Sequence, residues 1–335
     1  MKPKNLIYNL LLLLFSSLVA LILIEVYLRL NNQGPWGTLD SERNDPTINV
    51  ADEKLGWTPK KGSYQFEPFS EEGKGFIVNI LKDGSRKVTF QDKQLSKNEL
   101  IFLGGSITLG WGVNDNQTFV SKLQNNITNF TIKNFSAGGY GTYQLFLRIE
   151  DLLSKKNNIK TAVLIYVPNH ATRNIGDEFW LRTLTKFSKR GYVSLPYASI
   201  DNQKRLIRHK PIKYLKTPFM DSIAISNKIA KRVMRYKLKN NEKGKYEVTN
   251  VIFSEIKRLT KQNNINLIIV NISSDENAFD PYLETFKKNN IDFFNCTEKR
   301  TKKLTIKGDG HPNDAMHSLF EKCIYKELKN LIKLR

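Results

Sequence analysis

The chain has 335 residues, a length that allows one large domain with an appendage or two small domains. Its 40% hydrophobic and 25% charged residues predict that most of the chain folds around a core. The formal net charge of +21 indicates an anionic partner or drift towards lysine, and nucleic acid is not expected because RNP-like, zinc-finger and basic-heptad patterns are absent.

An apolar run near the amino terminus, Asn5 to Ile24, is long enough to cross a bilayer as a helix. Lys2 and Lys4 precede it, so the positive-inside rule keeps the amino terminus in the cytoplasm. We predict a single-pass signal anchor over residues 5–30, with the rest on the outer side of a bacterial cytoplasmic membrane. A cleavable signal peptide is the alternative, but the run is long and no small-residue cleavage site follows it.

The next segment, residues 31–98, is rich in glycine, proline and polar residues with isolated aromatic side chains. This composition predicts an irregular connector with short strands that packs on the main domain. No residue pattern within it suggests chemistry.

From residue 99 to the end, strand-like and helix-like runs alternate. Alternation of this kind predicts a parallel sheet with helices on both faces, and five strands favour the flavodoxin-like order 2-1-3-4-5. The predicted strands are Leu100–Leu103, Thr131–Phe135, Ala162–Val167, Asn266–Ile272 and Asp292–Phe294. The predicted helices are Phe119–Asn125, Tyr143–Lys155, Val251–Gln262, Pro281–Lys288 and Ala315–Lys333.

One long insertion, residues 176–249, interrupts this alternation between the third and fourth strands. Its part from Lys204 to Lys239 is strongly basic, with Asp221 as the one acidic residue, and predicts one or two basic helices such as Ser222–Leu238. Contact with anionic lipid or polysaccharide is one interpretation. A solvated basic face in a lysine-rich protein is the other.

Polar residues follow four of the predicted strands. Parallel strands bring their carboxyl ends to one edge of the sheet, where ligands bind in α/β folds. The segments are Gly104 to Thr108, Ser136 to Gly141, Pro168 to His170 and Gly308 to Asn313.

These segments carry the groups that acyl transfer requires. A serine hydroxyl needs an imidazole to take its proton, which predicts Ser106 as nucleophile and His311 as general base. Asp309 orients the imidazole if a turn at Gly310 folds its carboxylate back. The predicted oxyanion donors are the Ser106 and Gly139 amides and the Asn169 side chain.

The four segments resemble the sequence blocks of the SGNH (GDSL-like) hydrolase superfamily, over about Leu100 to Leu331 without the insertion. The blocks are Gly104-Gly105-Ser106-Ile107-Thr108 with Gly110, then Asn134 with Gly139, then Asn169, then Asp309-Gly310-His311-Pro312-Asn313. The family usually has aspartate at the positions of Gly105 and His170. Its last Asp and His are usually three positions apart, whereas Asp309 and His311 are two positions apart. The resemblance implies a three-layer α/β/α fold and a serine esterase without cofactor.

The resemblance leaves the acyl acceptor open. With water as acceptor the protein is an esterase for acylated envelope glycans or lipids, and with a sugar hydroxyl it is an acyltransferase. A third interpretation is an inactive glycan-binding module. No metal site is predicted, His317 is expected to be structural, and the two cysteines, Cys296 and Cys323, are either paired or both buried thiols.

Overall fold

The computed structural model describes residues 3–37, 45–89, 96–186, 194–239, 241 and 244–332. The chain forms two compact units. We call Met1–Ser41 with Tyr214–Asn240 the anchor unit, and Glu42–Lys213 with Asn241–Arg335 the sheet unit. This division cuts through the predicted insertion, because residues 214–240 group with the amino-terminal helix.

The strands and helices follow the chain in this order. The strands are β1 Asn49–Asp52, β2 Gly56–Pro59, β3 Gly62–Phe66, β4 Phe76–Ile80, β5 Glu99–Leu103, β6 Thr131–Asn134, β7 Ile159–Tyr166, β8 Leu195–Ile200, β9 Leu206–Ile212, β10 Asn266–Asn271 and β11 Asp292–Asn295. The helices are α1 Pro3–Leu30, α2 Ser106–Leu109, α3 Phe119–Asn126, α4 Thr142–Leu153, α5 Asn169–Asn174, α6 Glu178–Lys186, α7 Ala224–Leu238, α8 Lys245–Gln262, α9 Leu283–Asn289 and α10 Asp314–Leu331, with 3₁₀ turns at Asp115–Gln117 and Asp280–Tyr282.

The central sheet has five parallel strands in the order β11-β10-β7-β5-β6. Numbered along the chain this is 2-1-3-4-5, so the predicted flavodoxin-like order is confirmed. The five predicted strands are present, with ends that differ by at most three residues. Strand β5 is buried along its whole length, as expected for a strand covered on both faces.

Helices cover both faces of this sheet. Helices α3 and α10 pack together over one face, where Phe119 and Phe320 join the aliphatic side chains of the strands in one core. Helices α4, α5 and α8 pack together in a second group, in which α4 contacts β7 and α8 contacts β10 of the sheet. The predicted three-layer α/β/α architecture is therefore confirmed.

A disulfide joins Cys296, just after β11, to Cys323 on α10. The sequence left this pairing open. The bond ties the residue after β11, an edge strand of the sheet, to α10, over a sequence separation of 27 residues.

Reduction of this disulfide is expected to lower the free energy of unfolding by about 3 kcal/mol, because opening a loop of this length restores entropy to the unfolded chain. Urea unfolding with and without dithiothreitol measures the loss. The double variant Cys296→Ala/Cys323→Ala is the control, and its stability should not respond to reductant. Equal stability of the wild type in both conditions would contradict the prediction.

The segment before the central sheet forms two antiparallel hairpins, β1–β2 and β3–β4. Trp57 of β2 is fully buried, and its indole donates to the carbonyl of Gly138 at 3.0 Å. The Tyr140 hydroxyl donates in turn to the Trp57 carbonyl at 2.6 Å. The hairpin segment thus fixes the turn that follows β6.

The anchor unit contains helix α1, whose span Leu6–Leu30 has a mean hydropathy of 2.6 and no buried residues in its most apolar window. It is long and apolar enough to cross a membrane. The carboxylate of Glu25 accepts hydrogen bonds from the amides of Ala224 and Ile225, the first residues of α7. Arg29 pairs with Glu25 at 2.8 Å and also donates to the carbonyl of Ser222. Helix α7 is thereby capped by the carboxyl-terminal end of α1.

Candidate active site

Ser106 is the first residue of α2 and follows directly from β5 through two glycines. The chain is too tightly packed for a side chain at Gly104, because a Cβ there would lie 2.1 Å from the Thr108 hydroxyl. The carbonyl of Ser106 accepts from the amides of Gly110 and Trp111, which closes the turn. The serine is therefore held at the carboxyl edge of the sheet with its side chain partly exposed.

The structure brings Ser106, His311 and Asp309 into one hydrogen-bonded row. The distance from His311 Nε2 to Ser106 Oγ is 2.8 Å, and that from His311 Nδ1 to Asp309 Oδ1 is 2.5 Å. Gly310 lies between them with φ of +84°, and the same Asp309 oxygen accepts from the His311 amide at 3.1 Å. A left-handed glycine thus allows a carboxylate only two residues away to reach back to the imidazole.

The Asp309 carboxyl is held in its ionised form. Burial favours the neutral acid, but hydrogen bonds from His311 and Trp111 and the charge of His311 outweigh it, so the pKa of Asp309 lies below its ordinary value. With Nδ1 on the Asp309 carboxylate, His311 presents Nε2 to the Ser106 hydroxyl, which is the orientation that a general base requires.

The two predicted oxyanion donors besides Ser106 each line a cavity that Ser106 also lines: Asn169 lines one and Gly139 lines the other. Gly139 has φ of +83°, and a Cβ at this position would approach the rings of Trp180 and Trp57 to 3.2 and 3.3 Å. A side chain there would be strained and crowded. Asn169 is the exposed first residue of α5.

The cavity on the Gly139 side, which we call the aromatic cavity, has a volume of about 280 Å³. Trp111 and Trp180 line it together with Ile48 and Leu184. Ile48 comes from the connector, so the interpretation that this segment has no part in the chemistry missed a wall of the site. The sequence offered no signal for it beyond isolated aromatic and aliphatic residues.

The cavity on the Asn169 side, which we call the polar cavity, has a volume of about 450 Å³. Its lining includes hydroxyl, amide, imidazole and charged groups: Asn169, His170, Ser273, Ser274, Asp275 and Arg300. The two cavities therefore differ in chemistry, with tryptophan and aliphatic side chains prominent in one and polar side chains prominent in the other.

His170 and Arg173, both on α5, stand beside the nucleophile turn. His170 is 1% exposed, and burial together with the charge of Arg173 lowers its pKa well below the ordinary value, so the ring is neutral. Arg173 stacks on the ring of Trp180 at 4.3 Å and donates to the Tyr140 carbonyl at 2.9 Å. Sequence reasoning singled out His170 but missed Arg173.

His317 lies on α10, buried against the ring of Phe119, and its Nδ1 accepts from the Phe119 amide at 3.3 Å. Burial, with the charges of Arg86 and Lys122, lowers the pKa of His317 to about 3. His317 is not hydrogen-bonded to Ser106, His311 or Asp309, and it packs as a core residue.

The buried His317 is expected to make the fold sensitive to acid. The unfolded chain binds a proton there below about pH 6.5, whereas the folded chain stays neutral down to about pH 3. Stability should therefore fall as pH drops through this window, with His317 contributing about 2 kcal/mol of the loss between pH 7 and pH 5. Urea unfolding of wild type and His317→Gln, which keeps an acceptor but does not titrate, measures this share. Equal acid sensitivity in both proteins would refute it.

Comparison with known proteins gives matches among solved structures. No protein-family model and no curated protein matches the sequence. The structure of the psychrotrophic esterase EstA from Pseudoalteromonas sp. is 12% identical over 70% of this chain and 99% of that chain, with a TM-score of 0.40. A GDSL-like lipase from Bacteroides thetaiotaomicron is 13% identical over 70% and 90%, with a TM-score of 0.39. Because identities and TM-scores are low, we base the functional proposal on the geometry of this chain.

Proposed function

We propose that the chain is a membrane-anchored serine esterase of the SGNH type. The observation that carries the proposal is the row Ser106–His311–Asp309, in which a hydroxyl, an imidazole and an ionised carboxylate are hydrogen-bonded in sequence. Two cavities meet at this serine, which gives room for both halves of an ester.

The reaction proceeds through an acyl-serine. His311 Nε2 takes the proton of the Ser106 hydroxyl as Oγ bonds to the ester carbonyl carbon, and the imidazolium then protonates the departing alcohol. Water next loses a proton to His311 and attacks the acyl carbon. The bond from this carbon to Oγ then breaks, His311 returns the proton to Oγ, and the carboxylic acid leaves. Asp309 stays ionised throughout and stabilises the imidazolium.

The oxyanion of each tetrahedral intermediate needs preorganised donors. We assign the amides of Ser106 and Gly139 and the side chain of Asn169, each contributing about 3 kcal/mol of transition-state stabilisation. Glycine at 139 supports this assignment because it leaves the amide approachable.

The substrates we propose are acyl or acetyl esters of envelope glycans or lipids, because α1 confines the site to a membrane. The disulfide supports an outer location, where thiols oxidise, and Lys2 and Lys4 support a cytoplasmic amino terminus. The basic segment from Lys204 to Lys239 is proposed to contact anionic lipid or polysaccharide.

Full-length protein in detergent tests the proposal. It should react with a fluorophosphonate probe and hydrolyse p-nitrophenyl acetate. Absence of both reactions in folded protein would favour the inactive glycan-binding module. Adding dextran as acceptor separates the acyltransferase, which would leave acetyl groups on the polysaccharide, from the esterase, which would release acetate.

The anchor is expected to hold the protein in the membrane through α1. Carbonate washing of membranes should leave the full-length chain in the pellet, because removing this apolar span from the bilayer is unfavourable. A variant with two arginines in the span, Leu13→Arg/Leu21→Arg, should appear in the soluble fraction. Release of the wild-type chain by the wash would indicate a cleaved signal peptide or peripheral binding instead.

A further inference from the structure

The polar cavity contains a buried polar atom that the proposed reaction does not use. His170 Nε2 has no hydrogen-bond partner among the described residues, although its side chain is 1% exposed. The other ring nitrogen lies 3.5 Å from the Thr142 hydroxyl. A buried nitrogen left unbonded is costly, so its presence beside a nucleophile points to a ligand group that completes it.

Residue 105, next to His170, has no side chain. A Cβ at Gly105 would lie in close contact with the ring, 3.4 Å from both His170 Nε2 and Arg173 Nη1, so a side chain there would cover this nitrogen. Gly105, Ser106 and His170 line the same cavity. A group that reaches His170 from this cavity therefore belongs to the molecule that is bound at Ser106.

The lining of the polar cavity indicates which half of the ester it takes. Beside aliphatic side chains such as Ile165 and Ile272, the lining includes serine hydroxyls, the Asn169 amide, the Asp275 carboxylate and the exposed Arg300, so both donors and acceptors are available. The aromatic cavity is smaller, and Trp111 and Trp180 line it. Mixed donors and acceptors suit a polyhydroxylated group, whereas the smaller apolar cavity suits a short acyl group.

We propose that the polar cavity is the subsite for the alcohol half of the substrate, that this half is a sugar, and that His170 Nε2 exchanges a hydrogen bond with one of its hydroxyls. The inference rests on the proposed esterase function and adds the substrate class and the residue that selects it. A neutral imidazole suits this role because it binds a hydroxyl without attracting a competing anion.

The test compares two acetate esters of similar shape, 6-O-acetylglucose and cyclohexylmethyl acetate, which lacks the ring hydroxyls. Wild type in detergent should prefer the sugar ester in kcat/KM. His170→Phe should lower that preference about tenfold, mainly through KM, because one substrate hydrogen bond is lost. His170→Gln should restore part of it, since an amide also donates and accepts. His209→Phe, a matched change on β9, should leave the preference unchanged.

The outcomes separate the subsite from the proposed function. Hydrolysis of both esters with the same preference in wild type and His170→Phe would overturn the sugar subsite and leave the esterase standing. Hydrolysis of neither ester, with no fluorophosphonate labelling, would overturn the esterase. Saturation-transfer NMR then still decides the subsite. It compares the binding of 6-O-acetylglucose to Ser106→Ala and to Ser106→Ala/His170→Phe, and equal binding would refute the sugar subsite.

Discussion

Replacement of Ser106 by alanine is expected to lower kcat for p-nitrophenyl acetate by about 10⁴-fold or more and to abolish fluorophosphonate labelling. Without the hydroxyl, no acyl-enzyme forms, and His311 has no proton to take. His311→Ala should cost a similar factor, and the double variant should be little worse than either single one, because the two residues act as a unit. Stopped-assay kinetics and gel fluorescence of full-length protein in detergent measure both effects.

The chain provides a matched control for this prediction. Ser199 Oγ and His209 Nε2 also form a close serine–histidine pair, at 2.7 Å, in the hairpin of β8 and β9. No Asp or Glu partner of His209 is found among the described residues. Ser199→Ala should therefore retain full activity and labelling. If Ser106→Ala kept wild-type turnover, the mechanism proposed above would be wrong.

Much of the fold could be predicted because its three central strands, β5, β7 and β10, are short apolar runs buried on both faces. Such runs stand out in the sequence wherever helices separate them, and the flavodoxin-like order follows from the crossover rules. The placement of Ser106 and His311 near one another followed from the same logic, since parallel strands deliver their carboxyl ends to one edge. The sequence made the role of Asp309 conditional on a turn at Gly310, and the structure has a left-handed Gly310 that brings Asp309 back to His311.

Other features depend on contacts between distant segments, which local patterns do not encode. Helix α7 reads as a basic surface helix, and its grouping with α1 rests on Glu25, about 200 residues away in sequence. The connector reads as irregular, yet its Ile48 lines the aromatic cavity and its Trp57 holds the turn after β6. The pairing of Cys296 with Cys323 likewise requires α10 to lie against β11.

Arg86 is a further feature that the sequence did not reveal, and it positions the loop after Ser106. Its side chain is fully buried and pairs with Asp115 at 2.8 Å, while burial lowers its pKa. The remaining guanidinium hydrogens are donated to the main-chain carbonyls of Ile77, of Leu109 at the end of α2, and of Gly110 and Val113 in the loop that follows. The arginine thus ties the connector to the turn that carries Trp111.

Arg86→Met is expected to lower the free energy of unfolding by about 3–5 kcal/mol, because it leaves Asp115 buried without its cation. Arg86→Met/Asp115→Leu should recover only part of this loss, since the loop carbonyls stay unsatisfied in both variants. Arg208→Met is the control: it breaks a pair with Glu150 in which Arg208 is 42% exposed, and should cost less than about 1 kcal/mol. Urea unfolding measures all three, and a loss at Arg86 no larger than at Arg208 would show that the buried network does not stabilise the fold.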